Sequence, residues 1–183
     1  MENTAASDNK LASAAAAKEN FRVTDRSEFE EIARENMQRL YAHAAVITGS
    51  KQDAEDAAAD AIYRLLIRKK PFESREHAKA WLIRVTVNGA LKMKSRQRRF
   101  SGEENAAENL SVEFEYPEQS EVMEAVMKLD SGSRAVIMLF YFEDYSIKEI
   151  GRILKISPSA VTSRLTRARG RLKEMLKGDY FNE

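Results

Sequence analysis

The residues best suited to binding chemistry lie near the carboxyl terminus, in a run of basic side chains interrupted by few acids. They are Arg164, Arg167, Arg169, Arg171 and Lys173, followed by the single nearby acid Glu174. Guanidinium groups bind phosphate through paired hydrogen bonds, and a helix that carries several of them attracts the backbone of a nucleic acid. The composition of this segment therefore predicts phosphate binding. A solvated basic face on an ordinary helical hairpin is the simpler alternative.

The residues before and within this run have the pattern of a helix-turn-helix. Ser146 and Glu149 form a capping box that begins a short helix, and Ser157 with Pro158 begins a second helix after a tight turn. The second helix is then free to enter a major groove with its outward-facing residues. These are Ser159, Thr162, Ser163 and Arg167. Lys155 occupies the turn position where glycine is usual, and a positive φ there would cost lysine roughly 1 kcal/mol.

A second basic segment lies in the middle of the chain, on a predicted helix that runs to about residue 100. Its polar and basic residues are Arg84, Asn88, Lys92, Lys94, Arg96, Arg98 and Arg99, and no acid follows before Glu103. Just upstream, Lys69, Lys70 and Arg75 accompany Phe72 and lead to Trp81. Basic residues interleaved with aromatic residues favour binding to a single strand, although both rings equally suit a hydrophobic core.

Acidic residues gather at the start of another predicted helix, Lys51 to Leu66. Asp53, Glu55, Asp56 and Asp60 suit the helix dipole and also suit the docking of a basic partner helix. The same helix is predicted to bury a face that includes Leu65 and Leu66. A paired-carboxylate catalytic site is the weakest interpretation, because no histidine ligand or desolvating wall accompanies the acids.

The composition narrows the class of protein further. The chain has 183 residues, no cysteine and two histidines, His43 and His77, without companion ligands. We therefore predict no metal site, no cofactor and no enzymatic activity. The first residues lack a secretory signal and no apolar stretch approaches the roughly 20 residues of a membrane span, so we expect a soluble cytoplasmic protein without membrane insertion.

Hydrophobic periods of three and four residues recur along most of the chain and predict an all-α fold. Residues 1–24 are expected to be a mobile N-terminal extension, followed by a helical domain at 25–100. A flexible linker at 101–118 carries glutamates and no lysine or arginine, and a second helical domain occupies 119–178. The net charge of +1 conceals this segregation of charge.

Taken in order, these motifs resemble the extracytoplasmic-function type of bacterial RNA polymerase sigma factor, in the sigma-70 family. The matching stretches are DAED at 53–56, AWLIRVTVN at 80–88, RQRR at 96–99 and the helix-turn-helix at 146–169. Together they lie within residues 26–177. The resemblance implies that the first domain is sigma region 2 and the second domain is sigma region 4.

The resemblance also implies roles for individual residues. The surface that docks on polymerase would include Asp53, Glu55, Asp56, Ile62 and Leu65. The residues on the unwound −10 strand would be Phe72, Ser74, Arg75, Trp81, Asn88, Lys92 and Arg96. The −35 duplex would be read by Ser159, Thr162, Ser163, Arg164 and Arg167.

The function implied by the resemblance is that of a promoter-specificity subunit without chemistry of its own. Its partners would be core RNA polymerase, promoter DNA and an anti-sigma factor, and its regulon would answer a stress or envelope signal. The chain departs from the family pattern at Ala58, Ala59 and Lys92, and Gly151 and Lys155 invert the usual Ala and Gly of the helix-turn-helix. Two other functions remain open from the residues alone, a stand-alone duplex-binding regulator and a polymerase-binding adaptor.

Overall fold

The structure, a computed structural model, describes residues 26–101 and 120–180. The predicted N-terminal extension and almost all of the predicted linker lie outside these residues. The helices are α1 (Arg26–Thr48), α2 (Lys51–Leu66), α3 (Arg75–Ser101), α4 (Ser120–Met127), α5 (Ser131–Ile137), α6 (Ile147–Leu154) and α7 (Pro158–Tyr180), with a π-helical turn (Met138–Phe142) directly after α5. No β-strand occurs between 26 and 101 or between 120 and 180, which confirms the predicted all-α class.

Helices α1, α2 and α3 form the first helical unit. Gly49, at φ 67°, ends α1, and Ser50 then caps α2 by accepting a hydrogen bond of 3.3 Å from the backbone N–H of Asp53. The buried face of α2 is lined with small side chains, which allow close packing of its neighbours: Ala54, Ala57, Ala58 and Ala61. Thr86 and Val87 lie within α3 despite their β-branched side chains, because both are fully buried in this core.

Helices α4 to α7 form the second unit. Asp130 caps α5 by accepting a hydrogen bond of 3.0 Å from the Ser133 N–H. The predicted capping box of α6 is confirmed, since the Ser146 N–H donates to Glu149 Oε2 at 2.9 Å and the Ser146 hydroxyl accepts from the Glu149 N–H. Leu139, Ile150 and Leu165 are buried where these helices meet. Burial of these side chains thus holds α6 and α7 together within the second unit.

The two units pack against each other through one continuous hydrophobic cluster and a set of polar contacts. The guanidinium group of Arg134, on α5, is 1% exposed and donates to the Val46 carbonyl of α1 at 2.9 Å and to the Leu129 carbonyl at 2.8 Å. Burial lowers the pKa of Arg134 to about 10, so the side chain stays charged at neutral pH. This buried cation therefore joins α5 to α1.

A second polar contact between the units surrounds Glu143, which follows the π-helical turn. Its Oε1 lies 2.8 Å from Nε2 of the buried His43 and 3.6 Å from Nε of Arg39, and its Oε2 lies 3.8 Å from Nζ of Lys79. Burial alone would raise the pKa of the Glu143 carboxyl. The hydrogen bond to His43 and the charges of His43, Arg39 and Lys79 outweigh burial and hold that pKa below its ordinary value.

We predict that Glu143→Gln lowers the free energy of unfolding by about 1–3 kcal/mol at neutral pH, because it removes the carboxylate charge that faces Arg39 and Lys79 and lies against the buried His43. A carboxyl with a lowered pKa stabilises the fold at pH values above 4.5, the ordinary pKa of glutamate. This contribution is lost as the pH falls through the lowered pKa. The difference between the native protein and the variant should therefore shrink in acid.

Urea unfolding followed by circular dichroism at neutral pH and at progressively lower pH measures both effects. Glu124→Gln is the matched control, because Glu124 is an exposed glutamate of the second unit. Equal losses of stability in the two variants, or a Glu143→Gln effect that stays constant into acid, would contradict the role of the Glu143 charge.

Candidate nucleic-acid interface

The predicted helix-turn-helix is present as α6, a short turn and α7. Lys155 ends α6 at φ 56° and ψ 44°, so this lysine does adopt the left-handed conformation that glycine usually supplies at this turn. The Ser157 hydroxyl accepts a hydrogen bond of 3.2 Å from the Ala160 N–H at the start of α7. Val161 and Leu165 of α7 and Ile150 of α6 are buried in the same hydrophobic cluster. These contacts position the exposed face of α7.

Gly151 is required by the close approach of the turn to α6. A β-carbon at Gly151 would come within 2.9 Å of the backbone carbonyl oxygen of Ile156. The N–H of Ile156 in turn donates to the Gly151 carbonyl at 3.0 Å. The glycine that departs from the usual motif therefore lies at the narrowest point between α6 and the turn.

The outward face of α7 holds four of the five residues predicted to read a duplex. Ser159, Thr162, Ser163 and Arg167 are all exposed. Arg164 is half-buried and turns towards the start of α5, where its Nη1 would lie 3.1 Å from a β-carbon at Gly132. The exposed surface of α7 thus contains three hydroxyl groups and the guanidinium group of Arg167. Arg164 lies at the edge of this surface.

The residues predicted to bind the −10 strand fall into separate groups, the first of which surrounds Trp81. Phe72 is 2% exposed and packs edge-on against Trp81, with ring centroids 5.6 Å apart. The Arg68 guanidinium lies over both rings, at 4.5 Å and 4.9 Å from their centroids. Trp81 is half-buried and lines a cavity of about 180 Å³ between the units. In this arrangement Phe72 supports Trp81 from the core.

The other residues of this set lie around and along α3. Ser74 accepts a hydrogen bond of 3.1 Å from the His77 N–H and caps the helix. Arg75 forms an ion pair with Glu31 of α1. Asn88 donates to the carbonyl of Ile153, on α6 of the second unit, at 2.8 Å. Lys92 and Arg96 are exposed further along α3. Phe72, Ser74 and Trp81 therefore lie together at the start of α3. Arg75 and Asn88 instead bind other residues of the protein, Glu31 and Ile153.

The predicted polymerase-binding residues of α2 divide between surface and core. Glu55 and Asp56 are exposed, and Asp53 accepts a hydrogen bond of 2.7 Å from Gln97 of α3. Leu65 is 2% exposed and Ile62 is half-buried, so both contribute mainly to packing here.

Three large apolar side chains near the end of α2 are exposed instead. Tyr63, Leu66 and Ile67 have exposed fractions of 59%, 60% and 56%. The prediction that Leu66 shares the buried face of Leu65 is wrong, because consecutive helical residues point about 100° apart. The spacing of Tyr63, Leu66 and Ile67, at three and four residues, was the sequence signal for a second apolar stripe.

Two other classes of site are absent from the described parts of the chain. Between 26 and 101 and between 120 and 180, no three histidine, cysteine, aspartate or glutamate side chains come together as metal ligands would. No helix in the same two stretches is both long enough and apolar enough to cross a bilayer.

Comparison with known proteins finds two matching families: "Sigma-70 region 2" over residues 32–100 and "Sigma-70, region 4" over residues 119–172. An "RNA polymerase sigma-E factor" of Streptomyces antibioticus is 30% identical over 157 residues, which is 82% of this chain and 85% of that protein. The "ECF RNA polymerase sigma factor SigM" of Mycobacterium tuberculosis is 29% identical over 163 residues, with 86% and 81% covered.

Two solved structures share the fold. CnrH, in complex with the cytosolic domain of CnrY, matches with a TM-score of 0.56 and 26% identity, over 91% of this chain and 96% of that chain. The sigma factor RpoE of Bartonella quintana, in complex with the anti-sigma factor NepR, matches with a TM-score of 0.67 and 22% identity, over 82% and 97%. The second match, at that identity, supports the fold alone.

We predict that Gly151→Ala lowers the free energy of unfolding by about 1–3 kcal/mol, because its methyl group would overlap the Ile156 carbonyl and force α6 and α7 apart. Gly170→Ala is the matched control, since a β-carbon at Gly170 has no neighbour within 4 Å and alanine favours the helix. Urea unfolding of both variants measures the difference. A Gly151→Ala variant as stable as Gly170→Ala would show that the turn has room for a side chain.

Proposed function

Because the chain belongs to the sigma-70 family of RNA polymerase sigma factors, within the extracytoplasmic-function type, we propose that it directs core RNA polymerase to promoters with a −35 and a −10 element. Members of this family initiate transcription at specific promoters with RNA polymerase. The single observation that supports the finer assignment is the exposed polar and basic face of α7, held by a complete helix-turn-helix. The protein would contribute binding and no chemistry.

We assign the −35 duplex to α7. Its exposed Ser159, Thr162 and Ser163 are short donors and acceptors that can reach base edges, and Arg167 can bind either guanine or phosphate. Arg164 would join them by swinging away from Gly132, which its long side chain permits. The buried contacts of Val161 and Leu165 with the rest of the unit would keep the helix in the groove at a fixed angle.

We propose that the −10 strand binds a surface formed by the loop before α3 and by the exposed side of α3. Trp81 offers a partly exposed ring on which an unstacked base can stack, supported by Phe72 and Arg68 beneath it. Lys92 and Arg96 lie further along α3 and can bind the backbone phosphates. Unstacking a base costs a few kcal/mol, which stacking and phosphate contacts would offset.

We assign polymerase docking to the exposed face of α2. Glu55 and Asp56 offer charge to a basic partner, and Tyr63, Leu66 and Ile67 offer apolar area beside them. An acidic rim next to exposed apolar side chains is typical of a protein interface. This face lies on a different helix from α7, so a bound polymerase would leave the duplex-reading surface free.

We also propose that an anti-sigma factor binds this protein and that its regulon answers a stress or envelope signal. The solved structure of CnrH, which is 26% identical to this chain, holds a second protein, the cytosolic domain of CnrY. The promoter itself has to be found by experiment.

The test of this function is to mix the purified protein with bacterial core RNA polymerase, isolate the complex and map transcript starts on whole genomic DNA. We expect starts that depend on the protein and share two upstream elements. Asp56→Lys should reduce the amount of complex at least several-fold, because it places a cation on the docking face.

Glu124→Lys is the matched control, an equal change of charge at an exposed position of the second unit. Normal association of Asp56→Lys would remove α2 from the docking surface. Duplex binding by the protein alone, with no complex and no dependent starts, would instead favour a stand-alone regulator.

We predict that Arg164→Ala weakens binding of the polymerase complex to a −35 duplex by about 1–3 kcal/mol, because the variant loses the proposed contact with a base edge. Fluorescence anisotropy at several salt concentrations measures both affinity and salt slope. Arg34→Ala, an exposed arginine on α1, is the control. Unchanged promoter preference together with an unchanged salt slope would exclude Arg164 from the contacts.

A further inference from the structure

A cleft of about 530 Å³ lies between the two units, and guanidinium groups line both of its walls. Arg98 and Arg99 come from the end of α3 in the first unit. Arg164, Arg167 and Arg171 come from α7 in the second unit. Arg98, Arg99 and Arg171 belong to none of the surfaces assigned above. The cleft, here called the arginine cleft, therefore unites side chains from both units in one electropositive space.

The charge in the arginine cleft is largely uncompensated. Among the described residues, none of its five arginines forms an ion pair, and the one acid in its lining is Asp130. Both carboxylate oxygens of Asp130 accept hydrogen bonds from Ser133, at 3.0 Å and 2.6 Å. Burial would raise the pKa of Asp130, but these bonds and the charges of Arg171 and Arg164 keep it below its ordinary value. One negative charge thus faces five positive charges.

The walls of the cleft are held together by contacts outside it. The bond from Asn88 to the Ile153 carbonyl, the bond from Arg134 to the Val46 carbonyl and the contacts of Glu143 all cross between the units. Repulsion between the arginines on the two walls acts against these contacts. An anion with several charges, bound between the walls, would convert that repulsion into attraction and favour the packed arrangement.

The size and donor chemistry of the cleft select one class of ligand. Its volume falls in the range of about 300–1,000 Å³ that is usual for small-molecule sites, and is far too small to admit a duplex. Guanidinium groups donate paired hydrogen bonds that match the oxygens of phosphate. A chain of phosphates offers several anionic groups, which can pair with arginines of both walls, whereas a single phosphate offers one.

We propose that the arginine cleft binds a short chain of phosphate groups, either free or as part of a nucleotide, and that the bound chain holds the two units together. In that state Arg164 and Arg167 bind the phosphate chain, and Asn88 keeps its hydrogen bond to the Ile153 carbonyl. Because these residues are then not available to DNA, the ligand opposes promoter binding. The effect on promoters rests on the proposed function, whereas binding and closure do not.

The test uses the full chain with the substitutions Gln52→Cys and Lys128→Cys, one on each unit. A fluorescent donor and an acceptor are attached to these two cysteines. Both positions are exposed, and the absence of native cysteine makes the labelling specific. Titration with sodium tripolyphosphate at constant ionic strength should raise energy transfer in a urea concentration at which the units have partly separated. It should also raise the unfolding temperature. Orthophosphate at the same ionic strength should produce much smaller changes.

Variants from opposite walls test whether the ligand bridges them. Arg98→Gln and Arg171→Gln should each weaken tripolyphosphate binding about tenfold, because each removes the bridge between the two walls. The double variant should lose little more affinity, since no bridge remains for the second change to remove. Arg34→Gln, an exposed arginine on α1, should bind as the unmodified chain does. Circular dichroism of each variant confirms that it remains folded.

Three results would overturn the proposal: equal binding by all three single variants, binding without a rise in energy transfer, or losses in the double variant that simply add. Each would indicate general counterion binding. A separate titration with ATP distinguishes the two sources of the ligand, since tighter binding than tripolyphosphate indicates a nucleotide and equal binding indicates the phosphate chain alone. None of these measurements uses polymerase, so they stand whether or not the transcription experiment succeeds.

Discussion

The buried guanidinium group of Arg134 is the interaction on which the arrangement of the two units depends. A buried charge costs several kcal/mol unless hydrogen bonds satisfy it, and Arg134 meets this condition partly through the Val46 carbonyl of the other unit. Separating the units would therefore remove a partner from a cation that remains inside the second unit through its bond to Leu129. Water would have to replace the lost carbonyl. The contact thus fixes α5 against α1, and the positions of α6 and α7 follow from it.

This arrangement has a consequence for the proposed reading of DNA. The amide of Asn88 is occupied by the Ile153 carbonyl, and Trp81 faces a cavity shared with the second unit. Both residues belong to the surface assigned to the −10 strand. Under that assignment, they become fully available only when the second unit moves away. The packed state would then suit the free protein, and binding to polymerase and promoter would supply the free energy for separation.

Much of the local structure could be predicted from the sequence because its signals lie within a few residues of one another. The capping box of Ser146 and Glu149, the cap at Ser50 and the left-handed Lys155 all depend on neighbours along the chain. The burial of Phe72 and the exposure of Leu66 could not be predicted in this way, because they depend on which face of each helix meets another. The contacts of Glu143 with His43 and of Arg134 with Val46 join residues about a hundred and about ninety positions apart. No local pattern encodes such pairs.

The helix-turn-helix shows how a departure from a usual pattern can be accommodated by its surroundings. Lysine at a left-handed position costs roughly 1 kcal/mol relative to glycine, and Lys155 adopts that conformation nonetheless. The Ile156 carbonyl then lies so close to α6 that only glycine fits at position 151. Position 155 thus lacks the usual glycine, and a glycine is needed instead at position 151, four residues earlier. There it lets the loop between α6 and α7 pack closely on α6. Restoring glycine at 155 while placing alanine at 151 would exchange a strained backbone for a steric overlap unless the turn also moved. The two departures therefore act together, and the direction of α7 depends on both.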